Sequence, residues 1–127
     1  MNWRNTVEIS KDVYWVGVRD WNRRLFDALI PLPNGTTYNA YVIVGSAKKT
    51  LIDTVNPGFE KELEEKISKV VSPADIDYVI MNHAEPDHAG SIPYIMSINT
   101  KAKLLTTSKG ARWRKHSSKC LTKESRL

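Results

Sequence analysis

The join at residues 78–88 constrains this chain more than any other feature. Tyr78-Val79-Ile80-Met81 reads as a short buried strand, and it runs almost directly into His83-Ala84-Glu85-Pro86-Asp87-His88. Loops that follow strand ends carry function on a rigid base. Four potential metal ligands, His83, Glu85, Asp87 and His88, fall within this one short run. In an extended loop alternate residues point the same way, so His83, Glu85 and Asp87 are expected to converge while His88 faces a neighbouring point. Such a loop can serve two metals, with His83 and Glu85 on one and Asp87 and His88 on the other. Pro86 stiffens the loop and lowers the cost of ordering it.

Ligand type narrows the metal. Imidazole serves zinc, iron and copper; carboxylates without a nearby thiolate harden a site toward iron or manganese. Glu85 makes non-haem iron the expected metal, since a further imidazole there would suit a dizinc hydrolase better. Two His and two acids can also be ordinary surface polar groups. The dense spacing, the preceding strand and the following Gly90 weigh against that reading.

The flanking pattern is expected to be mixed α/β, a sheet covered by helices. Val7 and Ile9 alternate with polar residues, and Val13 to Val18 is β-branched and aromatic, as strands favour. Asp20 to Leu29 reads as a connection, and Pro31, Pro33 and Asn34-Gly35 as a turn. Thr36 to Val44 and Thr50 to Asp53, joined at Gly45-Ser46, read as a hairpin. Phe59, Leu63, Ile67, Val70 and Val71 form one apolar helical face over 56–71, with Asn56 as the expected cap and Pro57 at the first helical position. A second helix is expected from Gly90 to Ser97, a strand from Ala102 to Thr106 and a third helix from Ser108.

Composition excludes several classes. A chain of 127 residues suits one domain, and 41% hydrophobic with 26% charged residues is ordinary globular material. No apolar run approaches the ~18 residues of a membrane helix, so no membrane partner is expected. The N-terminus shows no apolar run of the signal-peptide kind. Cys120 is the single cysteine, which rules out an internal disulfide and fits a cytoplasmic location. The net charge of +5 is a property of the tail: residues 109–127 hold seven Lys/Arg and one acid, +6, leaving −1 for the rest. With no stacking platform or binding motif, nucleic acid is not an expected partner.

Asn82-His83-Ala84-Glu85-Pro86-Asp87-His88-Ala89-Gly90-Ser91 resembles the metal loop of flavodiiron proteins, oxygen and nitric-oxide reductases that branch from the metallo-β-lactamase fold. Asp20-Trp21-Asn22-Arg23-Arg24-Leu25-Phe26, Gly35-Thr36-Thr37-Tyr38-Asn39-Ala40-Tyr41 and Leu51-Ile52-Asp53-Thr54 extend the resemblance over roughly residues 8–112. The resemblance implies that His83 and Glu85 bind one iron and Asp87 and His88 the other. It puts Asp53 in a supporting role, holding the loop. The bland alternative for Asp53 is a turn or cap residue. Tyr38 and Tyr41 read as packing residues.

The family completes its site with a His, a bridging Asp and a last His. After His88 this chain has one His, His116, and no Asp. His116 lies in no ligand-like context and reads as a bystander. No Gly-rich phosphate loop or flavodoxin-like FMN domain is present in the sequence. The expected fold is therefore an incomplete metallo-β-lactamase-like αββα sandwich, roughly its N-terminal half, over residues 1–113. Residues 114–127 are expected to be a basic tail, disordered or frameshifted. The expected function is that of a truncated flavodiiron-type oxidoreductase, reducing oxygen or nitric oxide at a diiron site and inactive alone. The alternatives are a metal-dependent hydrolase fragment of the same fold, or a non-catalytic remnant that binds a complementary chain. Expected partners are a second copy or a complementary chain, because one sheet face would lack cover, and a rubredoxin-type electron donor for the intact family.

Overall fold

The computed structural model describes residues 5–117 and 124–126, with side chains through Arg112. The expected tail from residue 114 and the His116 and Cys120 side chains fall largely or wholly outside what is described. Among the described residues the main sheet has seven strands. These are β1 (Val7–Ser10), β2 (Val13–Trp15), β7 (Tyr41–Val44), β8 (Lys49–Ile52), β9 (Tyr78–Ile80), β10 (Lys103–Thr106) and β11 (Glu124–Arg126), in that spatial order. Pairing is antiparallel from β1 to β8 and parallel from β8 to β11. Two small ribbons stand beside it: β3 (Val18–Asp20) with β6 (Thr36–Tyr38), and β4 (Leu25–Phe26) with β5 (Ile30–Pro31).

Two expected continuous strands are each broken in two. Val13 to Val18 splits into β2 and β3, and Thr36 to Val44 splits into β6 and β7. Both breaks fall where the chain leaves the main sheet for the β3–β6 ribbon. They are stitched together, the Val16 amide donating to the Ala40 carbonyl at 2.9 Å. Gly17 allows the crossing: a Cβ there would lie 2.2 Å from the Tyr38 carbonyl oxygen. The stretch from Asp20 to Leu29, expected as a plain connection, contains half of the β4–β5 hairpin. Asp27 and Ala28 take positive φ at its turn.

Helix α1 (Glu60–Ser68) is shorter than its apolar face suggested. Its N-cap is Phe59, and the Asn56 amide donates to the Pro57 carbonyl instead of capping the helix. The cause is the turn at Gly58, whose φ of 103° interrupts helical geometry before it can start. A 3₁₀ turn (Pro73–Asp75) follows, then α2 (Pro86–Ala89), α3 (Ile92–Ile98) and α4 (Ser108–Ser117).

Strand alternation sorts the main sheet into two faces. Val42, Leu51, Val79 and Leu104 are in register across β7 to β10 and have no exposed surface. They form one core with Leu63 and Ile67 of α1 and Ile92 and Ile95 of α3. Tyr41, Ile52, Ile80 and Leu105 form the matching row on the opposite face and are only half-buried.

Candidate metal centre

Strands β8 and β9 are parallel neighbours, so their carboxyl ends open side by side. The Asp53 amide donates to the Ile80 carbonyl at 2.9 Å, which carries the pairing one residue past β8. Asp53 then adopts a φ of 56°. Its buried side chain reaches across to β9, where Oδ1 accepts the amides of Asn82 (2.8 Å) and His83 (3.1 Å). One carboxylate oxygen of Asp53 thus fixes the entry to the 83–88 loop.

From Asn82 to Glu85 the loop runs without helix or strand, and Glu85 is extended, with φ −72° and ψ 154°. Past Glu85 the expected alternation stops. Pro86 begins the single helical turn α2, with Glu85 at its N-cap. Proline disfavours helical backbone in the residue before it and suits the first helical position itself. Asp87 and His88 therefore project from a helical turn and not from an extended strand. The convergence survives by this other route: one ligand atom each from His83, Glu85 and Asp87 lies within 4.8 Å of the others.

The two expected pairs are also neighbours. His83 Nε2 is 3.7 Å from Glu85 Oε2, and His88 Nε2 is 3.5 Å from Asp87 Oδ2. The two imidazoles meet edge to face, with centroids 5.2 Å apart. The first pair is open to solvent, with side chains 49% and 47% exposed, and the second more sheltered, at 21% and 15%. A cavity of about 330 Å³ adjoins Asn82 and Ala84, the residues that alternate with His83 and Glu85; Thr106 of β10, Thr107 and Gly110 of α4 also line it.

The exit from the loop is held by Thr54 and Ser91, to which sequence reasoning assigned no part. Thr54 donates both its amide and its hydroxyl to the His88 carbonyl, each at 2.7 Å. The Ser91 hydroxyl donates to the Val55 carbonyl at 2.8 Å. Gly90 fits tightly beside them, since a Cβ would fall 2.5 Å from Pro57 Cδ. The sequence signals for Thr54 were its place directly after Asp53 at a strand end and its share in the Leu51-Ile52-Asp53-Thr54 resemblance, neither of which gave it a role.

A family model described as ODP family beta lactamase matches residues 36–126. The chain belongs to that family. Among its relatives, the nitric oxide reductase of Moorella thermoacetica is 43% identical over 104 residues, covering 81% of this chain and 26% of that protein. The rubredoxin oxygen:oxidoreductase of Desulfovibrio gigas superposes with a TM-score of 0.84 at 33% identity, over 94% of this chain and 31% of that one. A variant of the flavo di-iron protein of Thermotoga maritima gives 0.89 at 29% identity, over 96% and 31%. The flavodiiron resemblance and the metallo-β-lactamase-like fold are both borne out by these matches. This ODP-family chain spans about a quarter of the length of the curated relatives it matches.

The donor set suits the iron that this family resemblance implies: imidazole and carboxylate, with no sulfur among the converging atoms. His88 Nδ1 is buried and has no hydrogen-bond partner among the described residues, a costly state for a polar atom.

Proposed function

We propose that this chain supplies ligands to the non-haem diiron centre of a flavodiiron-type oxidoreductase acting on oxygen or nitric oxide. The observation that carries the reading is the convergence of His83, Glu85 and Asp87 within 4.8 Å at the mouth of the parallel strands. Residues His83 and Glu85 are assigned to one iron, Asp87 and His88 to the other. A bound iron pair supplies the redox chemistry, fed by FMN and a rubredoxin-type donor in the intact system. The residues in hand do the holding: Asp53 orients the start of the loop, and α2 turns Asp87 and His88 toward it.

Four donors shared between two ions give each iron two protein contacts, so the chain alone is a weak binder and inactive as a reductase. Two carboxylates held near each other also favour a bound cation over an empty loop. The half-buried apolar row Tyr41, Ile52, Ile80 and Leu105 supports a second copy or a complementary chain as partner. No helix among the described residues is long and apolar enough to cross a membrane, and the single Cys120 supports a cytoplasmic setting.

Anaerobic titration with Fe²⁺, followed by calorimetry, tests the reading. His83→Ala is expected to weaken binding by ~10-fold or more, a loss at least as large as removing an outer support of a ligand. Identical isotherms for the parent and His83→Ala would sink the assignment.

A further inference from the structure

We propose that Thr54 is the positioning residue for His88, so that the adjacent residues Asp53 and Thr54 each govern a different half of the ligand loop. The inference rests on the diiron reading for its metal consequence but on geometry alone for the positioning. His88 is held by its main chain: its carbonyl accepts two hydrogen bonds from Thr54, amide and hydroxyl, both 2.7 Å long. Its ring has no comparable anchor. Nδ1 is buried without a partner, and Nε2 has only Asp87 Oδ2 at 3.5 Å. A metal-ligating histidine is ordinarily oriented by a hydrogen bond at its other ring nitrogen. Here that function passes to the backbone, and through it to Thr54.

Thr54 is suited to the task. It has no exposed surface, so its hydroxyl does not exchange partners with water. A β-branched side chain has few χ1 choices, which fixes the direction of the donor. Asp53 cannot substitute, because a carboxylate oxygen accepts and does not donate to a carbonyl; its Oδ1 takes the Asn82 and His83 amides at the opposite end of the loop. The end of β8 thus works as a two-point clamp. Asp53 sets the His83 side and Thr54 sets the His88 side.

The test uses the full chain labelled with ¹⁵N-histidine. Without metal, the His83 and His88 rings, 5.2 Å apart at their centroids, are expected to show a ring-to-ring nuclear Overhauser effect. Thr54→Val should abolish it, and Thr54→Ser, which keeps the hydroxyl, should restore it. A Zn²⁺ titration, used as a diamagnetic stand-in for iron, then reads each imidazole nitrogen separately. Thr54→Val is expected to raise the Zn²⁺ midpoint for His88 by about tenfold and leave that for His83 unchanged. If Thr54→Val does not give a dispersed amide spectrum, Thr54→Ala takes its place, removing the hydroxyl donor with a smaller side chain. A persistent ring-to-ring effect, or equal midpoint changes at both histidines, overturns the proposal. A parent chain whose rings ignore Zn²⁺ would instead count against the diiron reading, while the metal-free spectra would still decide the role of Thr54.

Discussion

Leu51 and Ile52 are consecutive residues of β8 that face different surroundings. Leu51 points into the helix layer with Val42, Val79 and Leu104 and has no exposed surface. Ile52 points the other way, with Tyr41 and Ile80, and is half-buried. Both rows are apolar, so the sequence prepares both faces of the sheet for cover. The described helices pack on only one. The difference separates two kinds of apolar residue that periodicity alone treats as equal.

Truncation on the two faces should have unequal cost. Leu51→Ala removes fully enclosed atoms and leaves a cavity, which should lower stability by about 2–5 kcal/mol. Ile52→Ala loses contacts on an open face and should cost roughly 1 kcal/mol or less. Urea denaturation of the two variants at low protein concentration measures both. Equal losses would break the comparison and mean that the outer row is covered in solution, the behaviour expected of a chain that pairs with itself.

Asn99 sharpens the contrast from the helix side. It is buried at the end of α3, and its amide donates to the Pro73 and Ile76 carbonyls, both at 2.8 Å. Its side-chain oxygen accepts the amides of Lys101 and Ala102, both at 3.0 Å. One side chain thereby ties the 3₁₀ turn, α3 and the approach to β10 together. Asn99→Ala strands those groups and should cost about 1–3 kcal/mol. The expected readout is faster amide exchange at Lys101 and Ala102, together with a lower urea midpoint.

How much of this was legible in the sequence follows from the same distinction. Short-range pattern located β8, β9, β10 and the β7–β8 hairpin, and it marked His83, Glu85, Asp87 and His88 by residue type and spacing. It could not show where Val13 to Val18 crosses between sheets, because alternation fixes which face a residue takes and not which sheet the strand joins. It missed that Pro86 turns the loop helical. It also missed Thr54, since that contact depends on β8 and β9 lying side by side, a long-range pairing. Asp53 was found through the family resemblance, but its two accepted amides required the fold.

Tyr38 belongs to the helix-side core and packs against Phe59 with ring centroids 5.7 Å apart. Burial and the hydrogen bond it donates to Asp20 at 2.7 Å push its hydroxyl up from 10.0 to about 12. The folded state therefore holds this proton more tightly than the unfolded chain does. The resulting stabilisation is fully present below pH 10.0 and is lost as pH rises through about 12. Stability should be insensitive to this group near neutrality and decline across that alkaline window. Tyr38→Phe keeps the ring and removes the proton, so its stability should be lower at neutral pH and flatter between pH 10.0 and about 12. Thermal melts across that range would separate the two. An equally steep alkaline decline in Tyr38→Phe would assign the loss to other groups and remove Tyr38 from the features that set the helix-covered face apart.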